Sequence, residues 1–143
     1  MSAPSTTRWR ETERMVARWL RANGYPHAET TRNRERGSGR QSQLGDIDGV
    51  PGLVVEVKSH TSGTSWPSWA RQAEAEAEGR PWVVIWRKPR ETDVGQWPCL
   101  TSEAWPGSRW VAVSGRYGAS GLLVPVADAL ADLPAPAEQG ATP

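Results

Sequence analysis

This chain contains no phenylalanine, one cysteine and two lysines, and it has no long apolar run. The single cysteine, Cys99, has no partner for an internal disulfide and argues against a cysteine-based zinc cluster. No apolar run approaches the roughly 20 residues that cross a bilayer. The segment Met1–Thr7 lacks the apolar core of a signal peptide. No glycine-rich loop resembles a phosphate-binding P-loop. We therefore expect a cytoplasmic protein that has no membrane association and no nucleotide cofactor.

Positive charge is concentrated near the N-terminus, although the 143 residues carry a net charge of only +1. Residues 1–40 contain nine arginines and four acids, a balance of +5, and lysine occurs only at positions 58 and 88. Acids cluster later, at Glu74, Glu76 and Glu78. A general preference for arginine would explain the rarity of lysine, but not this one-sided placement. Arginine suits bidentate contact with phosphate, so we expect the N-terminal third to face DNA.

The hydrophobic pattern predicts one α/β domain over residues 8–133, between disordered ends at 1–7 and 134–143. Trp97–Gly107 fits no element. The predicted helices are Thr7–Asn23, Trp66–Gly79 and Val126–Leu133, and the predicted strands are Tyr25–Arg34 (an exposed edge strand), Gly45–Gly49, Leu53–Lys58, Trp82–Trp86, Arg109–Ser114 and Leu122–Val124. This order indicates a mixed central sheet flanked by helices.

The segment Gly45–Lys58 carries the chemistry. A turn at Gly49 would pair its two strands and bring Asp46 near Glu56, and two carboxylates are the protein ligands that Mg²⁺ usually takes. The carbonyl of Val57 is a further candidate ligand. Glu56 and Lys58 project from the same strand face, where the lysine would orient an attacking water or counter charge on a phosphate. The alternative is a structural Glu56–Lys58 ion pair at a strand end.

These residues resemble the signature of the PD-(D/E)xK nucleases, as G-D-I-D-G followed by V-V-E-V-K-S. Two flanking features are similar to the archaeal and phage Holliday-junction resolvases: Glu13 on the first helix, where that branch places a metal-site glutamate, and Gln72 on the helix after the motif. The resemblance covers roughly Arg8 to Lys88. It implies a restriction-endonuclease-like αβββαβ core with a mixed sheet. It also implies a Mg²⁺-dependent endonuclease, with Mn²⁺ as a substitute, that acts as a homodimer on branched DNA.

In this resemblance Glu13, Asp46, Glu56, Lys58 and Gln72 are the catalytic residues, and Glu13, Asp46, Glu56 and Val57 hold the metal. Gly45 replaces the usual proline, Glu11 competes with Glu13, and Asp48 competes with Asp46. The flexible basic loop Arg36–Ser42 resembles a DNA-contacting loop. The expected DNA-binding residues are Arg32, Arg34, Arg36, Ser38 and Arg40.

Three further questions stay open at the level of sequence. A restriction-like or repair nuclease that cuts duplex or flapped DNA is one alternative function. A DNA-binding module without catalysis is the other. The tryptophans at positions 66, 69, 97 and 105 would either stack on unpaired bases or fill the core in place of phenylalanine.

Overall fold

A six-stranded mixed sheet flanked by helices forms the domain. The computed structural model describes residues 5–33, 45–61, 64–102 and 123–131. The elements in chain order are α1 Ser5–Ala22, β1 Glu29–Thr30, β2 Ile47–Asp48, β3 Val54–Lys58, α2 Trp66–Ala77, β4 Trp82–Trp86, β5 Pro98–Thr101, β6 Leu123–Pro125 and α3 Val126–Ala131, with a 3-10 turn at Val94–Gln96 between β4 and β5. Of the described helices, none has both the length and the apolar character that a membrane span requires.

The strands lie in the sheet in the order in which they occur in the chain. Strands β3 and β4 are parallel, and every other neighbouring pair is antiparallel. Both parallel strands are central; β4 is wholly apolar and β3 is apolar except for Glu56 and Lys58, as expected for strands that are largely covered on both faces. Parallel strands need a long crossover, and α2 supplies it. The carboxyl ends of β3 and β4 therefore lie at the same end of the sheet.

Each face of the sheet has its own hydrophobic core. On one face, Val55 and Val57 of β3 pack with residues of α1 and α3, including Val16, Leu20 and Val126. On the other face, Val54 packs against α2 through Trp69, Ala70 and Ala73. The alternation of side chains along β3 assigns Glu56 and Lys58 to the second face, together with Val54. The second face is therefore the one on which Glu56 and Lys58 meet α2.

Most predicted elements are confirmed within a few residues, and one strand was wrong in extent. Residues 5–7 of the predicted disordered start belong to α1, whereas residues 1–4 and the predicted disordered tail 134–143 lie outside the described residues. Within the described part of the predicted strand Tyr25–Arg34, residues 25–33, only Glu29–Thr30 is a strand, whereas residues 31–33 are helical. The amide of Tyr25 still bonds the Leu20 carbonyl at 2.9 Å, so the chain is turning where a strand was expected. The segment Pro98–Thr101, which fitted no pattern, is a strand. The predicted strand Arg109–Ser114 lies outside the described residues.

Of the four tryptophans whose role stayed open, the three in the described ranges belong to the core rather than to a base-stacking surface. Trp66 and Trp69 are 6% and 5% exposed, and Trp97 is fully buried. Trp105 lies outside the described residues. Trp82 and Trp86 both pack on the α2 side of the sheet, as the spacing along β4 predicts.

Gly45 allows the chain to turn into β2. Its φ of +83° is a left-handed conformation that side chains rarely adopt and that proline, fixed near −65°, cannot reach. A Cβ at this position would also lie 2.7 Å from the Val55 carbonyl oxygen. The absence of proline before Asp46 therefore has a steric reason.

Replacing Gly45 with alanine should lower the free energy of unfolding by about 2–4 kcal/mol, because backbone strain and the collision with Val55 act together. Gly52→Ala is the matched control. Gly52 has a φ of +77°, but a Cβ there would meet nothing within 4 Å. The control should cost about 1 kcal/mol from strain alone. Urea unfolding measures both changes, and equal losses would contradict the steric account.

Candidate active site

Asp46 lies immediately before β2, and backbone hydrogen bonds hold it to β3 on one side and to Thr31 on the other. Its amide donates to the Val55 carbonyl at 2.7 Å, and its carbonyl accepts from the Thr31 amide at 2.9 Å. Its side-chain Oδ2 accepts from the Val57 amide at 2.8 Å. The side chain thus bonds the next strand where the backbone ladder of the two-residue β2 has ended. This places the carboxylate beside β3, close to where Glu56 and Lys58 project.

Glu56 and Lys58 occupy the carboxyl half of β3 on the α2 side. Glu56 is 5% exposed, and Lys58 is partly buried. The ammonium of Lys58 donates to Gln72 Oε1 at 3.0 Å, and no ion pair joins it to Glu56 among the described residues. The alternative interpretation, a structural ion pair between Glu56 and Lys58, is therefore not observed. Gln72 on α2 instead holds the lysine, as its placement near the motif had suggested.

The sequence analysis missed Glu76 as a member of this site. Glu76 lies one helical turn after Gln72 and accepts a hydrogen bond from Gln72 Nε2 at 3.3 Å. Its carboxyl also shares a hydrogen bond with Glu56. The signal was available in principle, since a carboxylate four residues after Gln72 shares its helix face. It looked instead like one of three similar acids on a solvated helix.

Glu13, rather than Glu11, approaches Asp46 from α1. Glu13 is 3% exposed, and the charge of Asp46 acts on it. Glu11 is exposed and forms a 2.8 Å ion pair with Arg87. Asp48 lies in β2 opposite Glu29, on the side of the edge strand. The structure thus brings Glu13 and Asp46 together with Glu56, whereas it places Glu11 and Asp48 in other surroundings.

Burial and mutual repulsion hold these carboxyls in their protonated forms more strongly than usual. Burial, and then the charges of Asp46 and Glu76, raise the pKa of Glu56 to about 8. Burial, and then Asp46, raise the pKa of Glu13 to about 7, against the opposing charge of Arg32. Burial also raises the pKa of Asp46, although its bond from the Val57 amide and the charge of Lys58 favour the ionised form. Without a bound cation, Glu56 is therefore mostly protonated at neutral pH and Glu13 is only partly ionised.

The donor chemistry of this cluster fits a hard divalent cation. All its acidic groups offer oxygen ligands, the type that Mg²⁺ prefers, and a cation would relieve their repulsion. Within the described ranges, no three His, Cys, Asp or Glu side chains are grouped closely enough to hold a metal ion as they stand. The Val57 carbonyl stays a predicted ligand.

Arg32 is the one predicted DNA-binding residue that lies among the described residues. Its guanidinium sits 4.8 Å from the centre of the Trp9 ring, and its charge acts on both Glu13 and Asp46. It therefore lies beside the acidic cluster. The other expected DNA-binding residues, Arg34, Arg36, Ser38 and Arg40, lie outside the described residues.

Comparisons with protein-family models, curated proteins and solved structures found no match to this chain.

The metal-free protein should lose stability as pH rises from about 5 to about 9. Both carboxyls have a pKa near 4.5 in the unfolded chain. In the folded protein the pKa of Glu13 is about 7 and that of Glu56 is about 8. Between those values the folded state binds more protons than the unfolded state, so the free energy of unfolding falls with rising pH. Melting curves in EDTA should show a drop of several degrees.

Glu56→Gln should flatten this pH dependence, because an amide keeps the hydrogen bond to Glu76 without titrating. Glu78→Gln is the matched control, since Glu78 is exposed at the end of α2. The control should keep the slope of the wild type. A slope that is the same in all three proteins would show that the buried cluster does not produce it.

Proposed function

We propose that the protein is a Mg²⁺-dependent DNA endonuclease of the PD-(D/E)xK type that hydrolyses phosphodiester bonds. The observation that carries the proposal is the meeting of Asp46, Glu56 and Lys58 beside β3. Glu13 approaches from α1 and Gln72 from α2. Carboxylates from three separate elements around one lysine cost stability, because their charges are partly desolvated. Such a cost is typical of residues that are placed for chemistry.

Glu13, Asp46 and Glu56, with the carbonyl of Val57, would hold the ion. Bound Mg²⁺ supplies neutralising charge for the phosphate and lowers the pKa of water, which is the attacking nucleophile. Asp46 is pre-positioned for ligation by its bond from the Val57 amide. The buried setting of Glu56 strengthens its attraction to a cation, because few water molecules screen it.

Lys58 is the residue placed to act on the reacting phosphate. Hydrolysis forms a bond from the water oxygen to phosphorus, breaks one ester P–O bond and concentrates negative charge on the phosphate oxygens. The Lys58 ammonium would orient the water or counter that charge. Gln72 positions Lys58 through the 3.0 Å hydrogen bond, and Glu76 positions Gln72 and Glu56 in turn. Mn²⁺ would substitute for Mg²⁺, since both take oxygen ligands.

Within this class we propose a four-way junction as the substrate. The support is the presence of Glu13 on the helix before the motif and of Gln72 on the helix after it, an arrangement that resembles the junction resolvases. A homodimer would present two such sites, and two-fold symmetry suits two symmetric cuts. This step rests on family analogy rather than on site geometry.

Asp46→Asn and Lys58→Ala should each reduce Mg²⁺-dependent cleavage at least about 100-fold, because each removes a charge that acts on the metal or the phosphate. DNA affinity measured in EDTA should change little. Asp48→Asn and Lys88→Ala are matched controls that make the same chemical changes outside the cluster. They should cut like the wild type. Full cleavage by both site variants would refute the catalytic assignment and leave a DNA-binding module.

A four-way junction should be cut at least about tenfold faster than a linear duplex that carries the sequence of its arms, since a tenfold rate ratio is only about 1.4 kcal/mol of discrimination. Single-turnover assays with radiolabelled strands measure both rates, and the Lys58→Ala protein reports contaminating nuclease. Equal rates would favour a restriction-like or repair nuclease, and the proposed junction specificity would then be wrong.

A further inference from the structure

A cavity of about 250 Å³ lies between α1 and residues 29–33, which follow the turn after that helix. We call it the arginine groove after the five arginines that line it, Arg10, Arg14, Arg18, Arg21 and Arg32. Ala17 is buried and contributes a small side chain to its wall. Glu13 also lines the groove, so the groove opens directly beside the acidic cluster.

Four of these arginines form a row along α1. At 100° per residue, positions 10, 14, 18 and 21 fall within about 80° of one another around the helix. At a rise of 1.5 Å per residue, the row is about 16 Å long. One strand of duplex DNA advances about 3.4 Å per phosphate along its axis, so a parallel strand would set about five phosphates against this row.

The groove holds more positive charge than its own acids balance. Five arginines face two acids, Glu13 and Glu29, which leaves a balance of +3. Arg21 is partly satisfied, because it lies 3.8 Å from Glu29 and donates to the Ala28 carbonyl at 2.7 Å. Arg10, Arg14 and Arg18 are exposed and form no hydrogen bond or ion pair with another described residue. Their guanidinium groups are therefore available to an anion.

Arg32 adds an unsatisfied donor on the opposite wall. Its Nε is buried and has no hydrogen-bond partner among the described residues. A buried N–H without a partner costs about 1–3 kcal/mol, more if charged, so its retention points to a ligand that completes it. A phosphate oxygen would accept from this group, and arginine is well suited to bind phosphate.

We propose that the arginine groove binds consecutive phosphates of a nucleic-acid strand and guides that strand towards Glu13 and the acidic cluster. The inference rests on the proposed function for the identity of the anion. It adds a track on the exposed face of α1 to the predicted contacts at Arg34–Arg40. The groove would hold the backbone phosphates, which carry no sequence information, and would therefore position the strand rather than select a sequence.

The test compares Arg14→Ala/Arg18→Ala with the control Arg71→Ala/Arg80→Ala. Arg71 and Arg80 are exposed and do not line the groove, so both doubles remove the same total charge. Fluorescence anisotropy in EDTA measures the affinity for labelled DNA at several salt concentrations. The groove variant should bind about tenfold more weakly or worse, and its slope of log K against log salt should be shallower by about 2. The control should stay close to the wild type.

Modification of the wild-type protein with phenylglyoxal provides a second readout that does not depend on the folding of a variant. Bound DNA should protect Arg14 and Arg18 from this arginine reagent, whereas Arg71 should stay reactive. Linear polyphosphate serves as a competitor that lacks bases and sugars. Equal weakening in both double variants, unprotected Arg14 and Arg18, or groove-dependent binding of polyphosphate without DNA binding would each overturn the inference.

The inference and the proposed function fail in different ways. If DNA binds through the groove but Mg²⁺ never produces cleavage, the inference stands and the nuclease proposal is wrong. If Mg²⁺-dependent cleavage depends on Lys58 but the groove variant binds and cuts like the wild type, the nuclease proposal stands and the inference is wrong.

Discussion

The hydrogen bond from the Val57 amide to the Asp46 carboxylate is the contact on which the site depends. Strand β2 is only two residues long, and the side chain of Asp46 takes over as acceptor where its backbone pairing stops. The carboxylate therefore cannot turn to solvent without leaving an amide of the central strand unpaired. This ties the position of an acid to the register of the sheet. It also explains why a partly desolvated Asp46 stays beside Glu56 despite their repulsion.

The acidic cluster destabilises the same strand that the hydrophobic cores stabilise. The packing of Val54, Val55 and Val57 against both cores stabilises β3. Glu56 sits in the same strand at 5% exposure, where an apolar residue would add to that packing. Charges in such a position cost free energy unless they are paired, and the neighbour that shares a hydrogen bond with Glu56 is another carboxyl, Glu76. A bound cation would offset the repulsion between these carboxyls. Without one, they destabilise the core in which Glu56 lies.

The elements that were predicted correctly are those whose positions are determined by their own residues. The apolar runs that became β3 and β4, and the periodic faces of α1 and α2, were visible because each is set by the residues themselves. The length of the edge strand was overestimated, because the amide of Tyr25 bonds the Leu20 carbonyl of α1 and the chain turns there. Strand β5 was missed because prolines and tryptophans around it disguise a short antiparallel partner of β4. The choice between Glu11 and Glu13 depended on how α1 is rotated against the sheet, which composition and spacing do not determine. The spacing of Glu76 from Gln72 indicates a shared helix face, but its place in the site also depends on the distance between α2 and β3, which the sequence does not give.

The near-zero net charge of the chain conceals a separation of charge that the fold creates. Acids from α1, β3 and α2 gather around Asp46, and arginines of α1 line the neighbouring groove. Glu13 belongs to both, since it faces Asp46 and lines the arginine groove. Adjacent regions of opposite sign attract a divalent cation and a polyanion respectively, and each ligand would weaken the repulsion that the other meets. A cationic groove without an adjacent acidic cluster would offer a site for the backbone alone. The presence of Glu13 in both regions is therefore the feature that separates the proposed nuclease from a simple binding module.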